Sequence, residues 1–501
     1  QWKNQYGNAD PYEVDSRLSA PIVDPTTGFF TDDGAQATWR DDITRTYTLK
    51  GDFTSQLVDF YMMKAGFEFQ YHDIQYVDIQ DGGYKLSSYG RQVFGLEDGG
   101  VTLPEPPGPF PEMGQNRWVF NTKPAMGSIY LQNKFELETL IINAGIRADG
   151  FYPGENVFEE DYKETWEAAT GLEADWDKVR YTISPRFGIS YPINERTKVF
   201  FSYGHFNQLP ELQFYYRDPY TGGLTGNPHL DYEQTILFEF GFERQLFETW
   251  LVDVKSYAKD ISKQVGTTQL TAALGLPVAL YDNRGYSRTR GLEFNVSKKQ
   301  ANHTSMSLKY TLQWATGHSS SAFEDYQRSI TDFPNPIRER RLGYDVRHQI
   351  VFQSSLVSAK DDPVSFFGWE VPFTNWNINV LSRFSSGYPY TPGTNDPAKL
   401  QKLENTEEGP PTYSTDIKFT KIFDVSDGLN VTFFFDVYNI FNTRNVQIAY
   451  GFNNWDGEHY EFGDTFQDTD KGYNYYDMYV MMDPRRFSLG RRTRFGVSFG
   501  F

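Results

Sequence analysis

The carboxyl-terminal segment alternates strictly between large apolar side chains and small ones. The large residues are Phe495, Val497, Phe499 and Phe501, and Gly and Ser occupy the positions between them. Because successive side chains of a β-strand point to opposite faces, this segment has one apolar face and one polar face. Strands of this kind cross an outer membrane, with lipid outside and a wet lumen inside. A half-buried strand of a soluble β-sandwich alternates in the same way, so this segment alone leaves both structures open.

Composition excludes several classes of protein. The 501 residues include 42 Phe and 34 Tyr but no Cys, carry a net charge of −19 and have a mean hydropathy of −0.59. No stretch reaches the roughly 18 apolar residues of a transmembrane helix, so a helical membrane protein is excluded. The absence of cysteine excludes disulfides, thiolate metal sites and cysteine catalysis. The acidic balance argues against a nucleic-acid partner, and the aromatic excess is typical of the two girdles of a membrane barrel.

Period-two segments recur along the chain and predict about fifteen strands. Their approximate spans are 43–56, 60–76, 124–137, 140–152, 179–192, 197–207, 233–246, 249–264, 287–299, 304–317, 346–358, 374–389, 413–424, 429–442 and 489–501. In the clearest segments the apolar side chains share one face and the charged side chains share the other. The predicted lipid-facing residues are Phe238, Phe240, Phe242, Val431, Phe433, Phe435, Phe495, Val497 and Phe499, and the predicted lumen-facing ones are Glu239, Glu243, Asp436 and Arg494.

The connections between these segments alternate between short turns and long polar loops. Short turns lie at 138–139, 194–196, 247–248 and 425–428, and a connection of moderate length lies at 359–373. Long loops lie near 77–122, 153–178, 208–232, 265–286, 318–345, 390–412 and 443–488. Outer-membrane barrels have short periplasmic turns and long extracellular loops, whereas a soluble sandwich has no reason to place every long loop at one end. The sequence therefore predicts an all-β fold, a transmembrane antiparallel β-barrel in the bacterial outer membrane.

Loop parity gives an expectation for both ends of the chain. Counting back from a periplasmic carboxyl terminus places residues 1–42 outside the cell as a loop or irregular segment, with residues 43–501 forming the barrel. Bacterial single-chain barrels have an even number of strands, so the odd count predicts that an N-terminal portion precedes this sequence. The alternative is a hidden further strand within 1–42, which would make a complete porin. The prolines and glycines of that segment argue against it.

Several motifs resemble those of the TonB-dependent outer-membrane receptors, and they stand in the family's order. They are Ser184-Pro-Arg-Phe-Gly-Ile-Ser-Tyr191 with Lys198-Val-Phe-Phe-Ser-Tyr-Gly204, Gly226-Asn-Pro-His-Leu230 followed by Glu239-Phe-Gly-Phe-Glu243, Asn283-Arg-Gly with Arg290-Gly-Leu-Glu293, Asp436-Val-Tyr-Asn-Ile-Phe-Asn442, and Asp483-Pro-Arg-Arg-Phe487. Each motif alone is short and rich in glycine and aromatic residues. Their common order makes the resemblance specific, and the last motif is most similar to the Oar-type subgroup.

The resemblance implies a barrel of about 22 strands behind an N-terminal plug domain and a short segment that binds TonB. Neither the plug nor that segment is recognisable in this sequence, and the predicted strands are roughly seven short of that number. The implied function is energised uptake of a scarce substrate, with the TonB system as a partner through the missing N-terminal part. The implied partners also include outer-membrane lipid and the assembly machinery, for which Phe499 and Phe501 resemble the recognition signal. A passive porin and a β-rich surface adhesin are the alternatives.

The sequence carries no constellation that predicts catalysis. The seven histidines are scattered without a His-x-x-x-His pair, so each is expected to be structural or at the surface. Neither a Gly-x-Ser-x-Gly elbow nor a phosphate-binding glycine loop occurs. We therefore expect a protein that is not an enzyme and that needs no catalytic cofactor.

Two long loops combine aromatic side chains with charge and are the candidates for ligand binding. The candidate residues are Trp455, Tyr460, Tyr473, Tyr475, Tyr476, Tyr215 and Tyr216. Aromatic side chains at a barrel mouth stack on sugars, peptides or other small molecules, and the alternative is that they pack the loops against one another. The acidity of these loops disfavours anionic ligands through like-charge repulsion.

The longest loop also carries a partial calcium pattern. The candidate ligands are Asp468, Asp470 and Asp477, because hard cations bind clustered carboxylate oxygens. The segment lacks the terminal bidentate Glu of a calcium loop. Calcium in the extracellular loops is therefore a secondary expectation.

Overall fold

The computed structural model describes residues 38–80, 117–154, 161–216, 224–271, 277–330, 338–392, 397–426, 428–446 and 487–500. The strands are β1 (Thr38–Val58), β2 (Tyr61–Gln80), β3 (Arg117–Thr122), β4 (Ala125–Leu137), β5 (Leu140–Tyr152), β6 (Arg180–Asn194), β7 (Thr197–Gln208), β8 (Leu224–Thr225), β9 (Glu233–Leu246), β10 (Trp250–Thr271), β11 (Pro277–Ala301), β12 (Thr304–Gly317), β13 (Arg340–Arg341), β14 (His348–Ser358), β15 (Ser365–Phe366), β16 (Trp369–Glu370), β17 (Trp376–Ser385), β18 (Pro389–Tyr390), β19 (Glu407–Glu408), β20 (Thr412–Ser426), β21 (Leu429–Tyr438) and β22 (Arg492–Gly500). Each predicted strand overlaps one of the long strands in this series.

Helices are short and lie only in the long connections of the described residues. They are α1 (Asp161–Thr170), α2 (Gln213–Tyr216), α3 (Glu324–Ile330) and α4 (Pro397–Leu403). Glu324, the first residue of α3, holds the serine run before the helix, because its carboxylate accepts hydrogen bonds from the Ser320 amide at 2.5 Å and the Ser319 hydroxyl at 3.2 Å. Within the described ranges, no helix is long and apolar enough to cross a membrane.

The long strands form one antiparallel meander. Each pairs with the next long strand along the chain, from β1 with β2 to β21 with β22. The short β3 also pairs with β2 and leads into β4 through Lys123 and Pro124. Tight turns close one end of the meander, except for the connection from β14 to β17, which carries the small β15–β16 hairpin. The long connections leave from the other end, which is the alternation that the sequence predicts.

Strand register fixes which side chains share a face. Phe433 lies opposite Val497, and on the other face Asp436 accepts a hydrogen bond of 2.9 Å from Arg494. Phe240 and Phe495 are 57% and 82% exposed on the apolar face, which is the predicted lipid side. The predicted separation of apolar and charged side chains is confirmed.

Glycines on the polar face make room for aromatic rings of the neighbouring strand. The directly opposed pairs are Gly241 with Phe200, Gly291 with Tyr257, and Gly496 with Phe434. In each pair a Cβ on the glycine would overlap the ring. The missing side chain therefore lets the ring lie across the adjacent strand, as in aromatic rescue of strand glycines.

The predicted long loop at 265–286 is wrong in extent. The ladder between β10 and β11 shifts register around Gln264 and then continues as far as Thr271 and Pro277. The bulge there adds an unpaired residue, which breaks the period-two pattern although pairing resumes beyond it. Strand β1 also begins at Thr38, so the expected boundary between 42 and 43 falls inside a strand.

Candidate ligand-facing surface at the mouth of the sheet

The long connections pack into a hydrophobic core at their end of the sheet, here called the mouth cluster. Its buried members are Ile74, Phe151, Trp166, Ala174, Trp176, Tyr215, Tyr216, Leu224, Leu230, Tyr232, Val265, Ala279, Leu280 and Tyr281. They come from α1, α2, the connections beside them and the upper ends of β2, β5, β10 and β11. The apolar contacts hold these connections together as one layer.

The segment Gly226–Leu230 is fixed inside this layer by hydrogen bonds from three directions. Trp166 Nε1 donates to the Gly226 carbonyl at 2.8 Å, and an Arg180 guanidinium nitrogen donates to the Pro228 carbonyl at 2.8 Å. The Asn227 amide nitrogen donates to the Tyr281 carbonyl at 2.6 Å. The motif that carried part of the family resemblance therefore joins α1, β6 and β11.

Two predicted ligand-binding residues, Tyr215 and Tyr216, lie inside the mouth cluster. They are 0% and 1% exposed. The Tyr215 ring centroid is 5.2 Å from that of Phe151, and the Tyr216 ring stacks on Trp176 at 5.3 Å. Burial raises the pKa of both hydroxyls above their ordinary value. In this structure a ligand cannot reach either ring, and their position matches the alternative in which loop aromatics pack against each other.

The other predicted site residues lie outside the described residues. They are Trp455, Tyr460, Tyr473, Tyr475 and Tyr476 for ligand binding, and Asp468, Asp470 and Asp477 for calcium. Within the described ranges, no group of three or more His, Asp or Glu side chains is suited to hold a metal ion. Both assignments stay predictions.

Four charged side chains, here called the ionic cluster, tie two long connections together. Arg340 bridges Glu324 at 2.6 Å and Glu404 at 2.9 Å, and Arg328 bridges Glu324 at 2.8 Å and also contacts Glu404. The side chains of Arg328, Arg340 and Glu404 are each at most 8% exposed. Because buried charges are costly unless paired, this arrangement holds α3, β13 and α4 in one geometry.

The pKa values of the three carboxyl groups in and beside the ionic cluster shift in different directions. Burial alone would raise the pKa of Glu324, but the Ser320 amide and the guanidinium groups of Arg340 and Arg328 together lower it to about 2. Burial raises the pKa of Glu404, and the same arginines only partly oppose it. Burial also raises the pKa of Asp325, whose Oδ2 lies 3.7 Å from His318 Nδ1. Glu324 is therefore the carboxylate that the cluster holds most firmly in its charged form.

A broad groove follows the polar face of β2, β4–β7 and β9. Its volume is about 700 Å³, and its lining includes Lys64, Arg147, Arg186 and Glu239. Arg147 pairs with Asp149 at 2.8 Å. In the described part of the chain, Lys64 and Arg186 form no ion pair. The Arg186 guanidinium instead lies over the Phe206 ring, 4.6 Å from its centroid. The polar face thus combines charges paired with each other and a cation stacked on an aromatic ring.

Sequence reasoning missed both clusters. Trp166 and Trp176 lie in a predicted polar loop where no period suggested a helix or a core. The charged residues Glu324, Arg328 and Arg340 resemble solvated loop charge in the sequence, and Glu404 lies far along the chain. The only signal was the charged run at 338–341, which does not reveal its partners.

Solved structures of outer-membrane transporters share this fold. The copper transporter OprC aligns with a TM-score of 0.52 at 11% identity, covering 93% of this chain and 57% of that one. The FrpB iron transporter from Neisseria meningitidis aligns with a TM-score of 0.51 at 14% identity, covering 91% and 55%. The YddB transporter from Escherichia coli aligns with a TM-score of 0.53 at 10% identity, covering 81% and 52%. This chain thus spans about half the length of these proteins.

No curated protein matches this sequence. The family model described as "TonB dependent receptor-like, beta-barrel" matches residues 1–440. This match confirms the predicted transmembrane β-barrel, the outer-membrane location and a family of receptors rather than enzymes. The assignment to the Oar-type subgroup stays a prediction. The chain belongs to the TonB-dependent receptor β-barrel family.

Proposed function

We propose that this chain is the barrel of a receptor that takes up a scarce substrate by energised transport through the TonB system. The mouth cluster is the observation that supports it. It joins several long extracellular connections into one packed layer above the wall, and such preorganised surfaces suit ligand capture. A passive pore needs no packed layer of this size at its extracellular end.

Ligand capture belongs to the extracellular end of the barrel. Two of the neighbours named above are a copper transporter and an iron transporter. For this chain we propose a scarce small molecule, sugar or peptide as the ligand. The candidates Trp455, Tyr460, Tyr473, Tyr475 and Tyr476 are proposed to contact that ligand, and Asp468, Asp470 and Asp477 to bind calcium. The strongly acidic chain favours a neutral or cationic ligand.

Uptake with and without an energised inner membrane tests this function. The native host, a deletion strain and the complemented strain are compared during growth on single limiting nutrients. Deletion should abolish growth on one nutrient, and a protonophore should abolish uptake of that nutrient by the complemented strain. Uptake that continues at the same rate with the protonophore would identify a passive porin instead.

The carboxyl-terminal strand supports a separate proposal about assembly. Phe499 is 61% exposed on the apolar face of β22, and Phe501 follows it in the same alternation. We infer that this strand is the signal read by the outer-membrane insertion machinery. Deletion of Phe501 should lower the amount of inserted protein, measured in outer-membrane fractions, while the inserted molecules bind ligand normally. An unchanged inserted amount would limit the strand to packing.

A further inference from the structure

A small cavity lies at the extracellular end of the barrel, beside the mouth cluster. Its volume is about 220 Å³. Five segments line it: the end of β7 with the connection after it, the first residue of β9, the bulge of β10, Gly285 of β11 and the serine run before α3. The lining residues used below are Glu211, Phe214, Glu233, Gln264 and Val265.

The bulge of β10 shapes one wall of this cavity. The ladder with β11 shifts register on both sides of Gln264, and Lys263 takes a left-handed φ of 56°. Val265 turns its amide toward β9, where Glu233 Oε1 accepts it at 2.8 Å. A Cβ on Gly285 would come within 2.9 Å of the Gln264 backbone oxygen, so the bulge is closely backed by β11. Bulges that redirect side chains in this way recur beside functional sites.

The cavity has an excess of negative charge. Glu211 and Glu233 both line it, and among the described residues neither forms an ion pair. A strand needs roughly 10 residues to cross the bilayer. Glu233 is the first residue of β9, at its extracellular end, and lies outside that membrane-crossing stretch. Burial raises the pKa of its carboxyl, and the nearby Glu211 charge adds to that effect. A cation entering the cavity would offset both the burial of the Glu233 charge and its repulsion from Glu211.

The rest of the lining limits what that cation is. Pro210, Phe214, Val265 and Ala322 give the cavity an apolar part. A volume of about 220 Å³ is smaller than the sites of roughly 300–1,000 Å³ that enclose a whole ligand. The cavity therefore suits one arm of a larger molecule. Across the residues that the structure describes, no group of three or more His, Asp or Glu side chains is placed to hold a metal ion, and this cavity has only two carboxylates.

We propose that this cavity binds a primary ammonium group on a short apolar stem, such as the lysine side chain of a peptide ligand. The ammonium pairs with Glu233 and Glu211, and the stem contacts Phe214 and Val265. This proposal rests on the proposed receptor function and narrows the chemistry of its ligand.

Calorimetric titration of the detergent-solubilised, full-length protein tests the proposal. The probes are N-acetyl-lysine methylamide, its neutral analogue N-acetyl-norleucine methylamide, and calcium chloride. The variants are Glu233→Gln and Glu211→Gln, with Glu195→Gln in the distant β6–β7 turn as the matched control. Glutamine keeps the acceptor oxygen for the Val265 amide while removing the charge. Heat-modifiable gel mobility confirms that each variant is folded, and the exposed Glu211 provides a second test if Glu233→Gln does not fold.

The lysine probe should bind, and each cavity variant should weaken it by about tenfold, as expected for loss of one charge-assisted contact. The norleucine probe should bind at least about tenfold more weakly than the lysine probe. Equal binding of both probes, no binding of either, or an equal loss in Glu195→Gln would overturn the proposal. Calcium binding that Glu233→Gln abolishes would replace it with a metal site. Calorimetry measures binding without uptake, so failure of the transport function leaves this test interpretable.

Discussion

The wall of the barrel and its mouth use the same types of aromatic residue in different surroundings. In the wall, Phe240 and Phe495 are 57% and 82% exposed, because their surroundings are lipid. In the mouth, Trp166 and Tyr215 are fully buried, because their surroundings are water. The wall is stabilised by a regular backbone ladder, and the mouth by a hydrophobic core together with buried ion pairs. The same side-chain type therefore reports opposite environments in the two regions.

The difference also decides how each region responds to a new charge. In the wall, charged side chains are tolerated on the polar face, where Asp436 pairs with Arg494 at 2.9 Å. A charged side chain on the apolar face would contact lipid and destabilise the fold. In the mouth, a buried charge is stabilised where a partner is already in place, as in the ionic cluster. Substitutions that separate these two rules test the comparison directly.

Arg340→Ala should have the largest effect, and it should be confined to the mouth. Removing one partner of a buried ion pair leaves Glu404 and Glu324 undercompensated, at a cost of about 3–5 kcal/mol. Hydrogen exchange should rise in 318–330 and 397–408 while the wall strands stay protected. Arg288→Ala is the control, because Arg288 is 56% exposed and its ion pairs contribute about 0–1 kcal/mol. Equal exchange in both variants would contradict a stabilising ionic cluster.

Phe433→Arg should be the most damaging of the wall substitutions. An arginine facing lipid near mid-bilayer costs about 2–4 kcal/mol. The control is Thr432→Arg, one residue away on the polar face opposite Ser498. Urea unfolding in lipid vesicles measures both. Similar losses would mean that the register of β21 and β22 does not set the lipid side.

Gly241→Ala should destabilise the wall by about 1–3 kcal/mol, because the new Cβ overlaps the Phe200 ring. Gly188→Ala is the matched control, since a Cβ there meets nothing closer than 3.8 Å. Both variants are compared by thermal unfolding. A Phe200→Ala background should remove most of the Gly241→Ala effect, and a full effect in that background would locate the strain elsewhere.

Asp325→Asn should give the smallest effect, a gain of about 1 kcal/mol or less in the mouth at pH 7. Burial raises the pKa of Asp325, so its charged form costs stability as the pH rises past its ordinary value. The gain should therefore disappear near pH 3, where the native carboxyl is protonated. Hydrogen exchange in α3 at both pH values measures it. A gain that persists at pH 3 would exclude the charge as its cause.

The stabilising contribution of Glu324, in the same region, has the opposite pH dependence. Its pKa is lowered to about 2, so its contribution is complete above its ordinary value and is lost as the pH falls toward 2. Acid unfolding of the mouth should therefore concentrate in that window and be absent at pH 5. The wall, held by backbone pairing, should remain folded there.

The sequence predicted the wall well, because one rule acts on every residue of it. Alternation in segments such as 429–442 and 489–501 gave the strands, their faces and the lumenal position of Asp436 and Arg494. It failed around Gln264, where an extra residue shifted the period although pairing continued. It also could not show that Tyr215 and Tyr216 are buried, because loop composition does not distinguish a binding surface from a packed core.

The sequence by itself thus determined the strand order, the two faces of the wall and the family, since these depend on local period and short motifs. Only the tertiary structure showed which residues of the mouth pack together. Trp166 meets Gly226, Arg340 meets Glu404, and Glu211 and Glu233 line one cavity, although these residues come from connections of unrelated sequence. Such contacts depend on how long connections fold over the end of the sheet, and no local pattern records which residues they bring together.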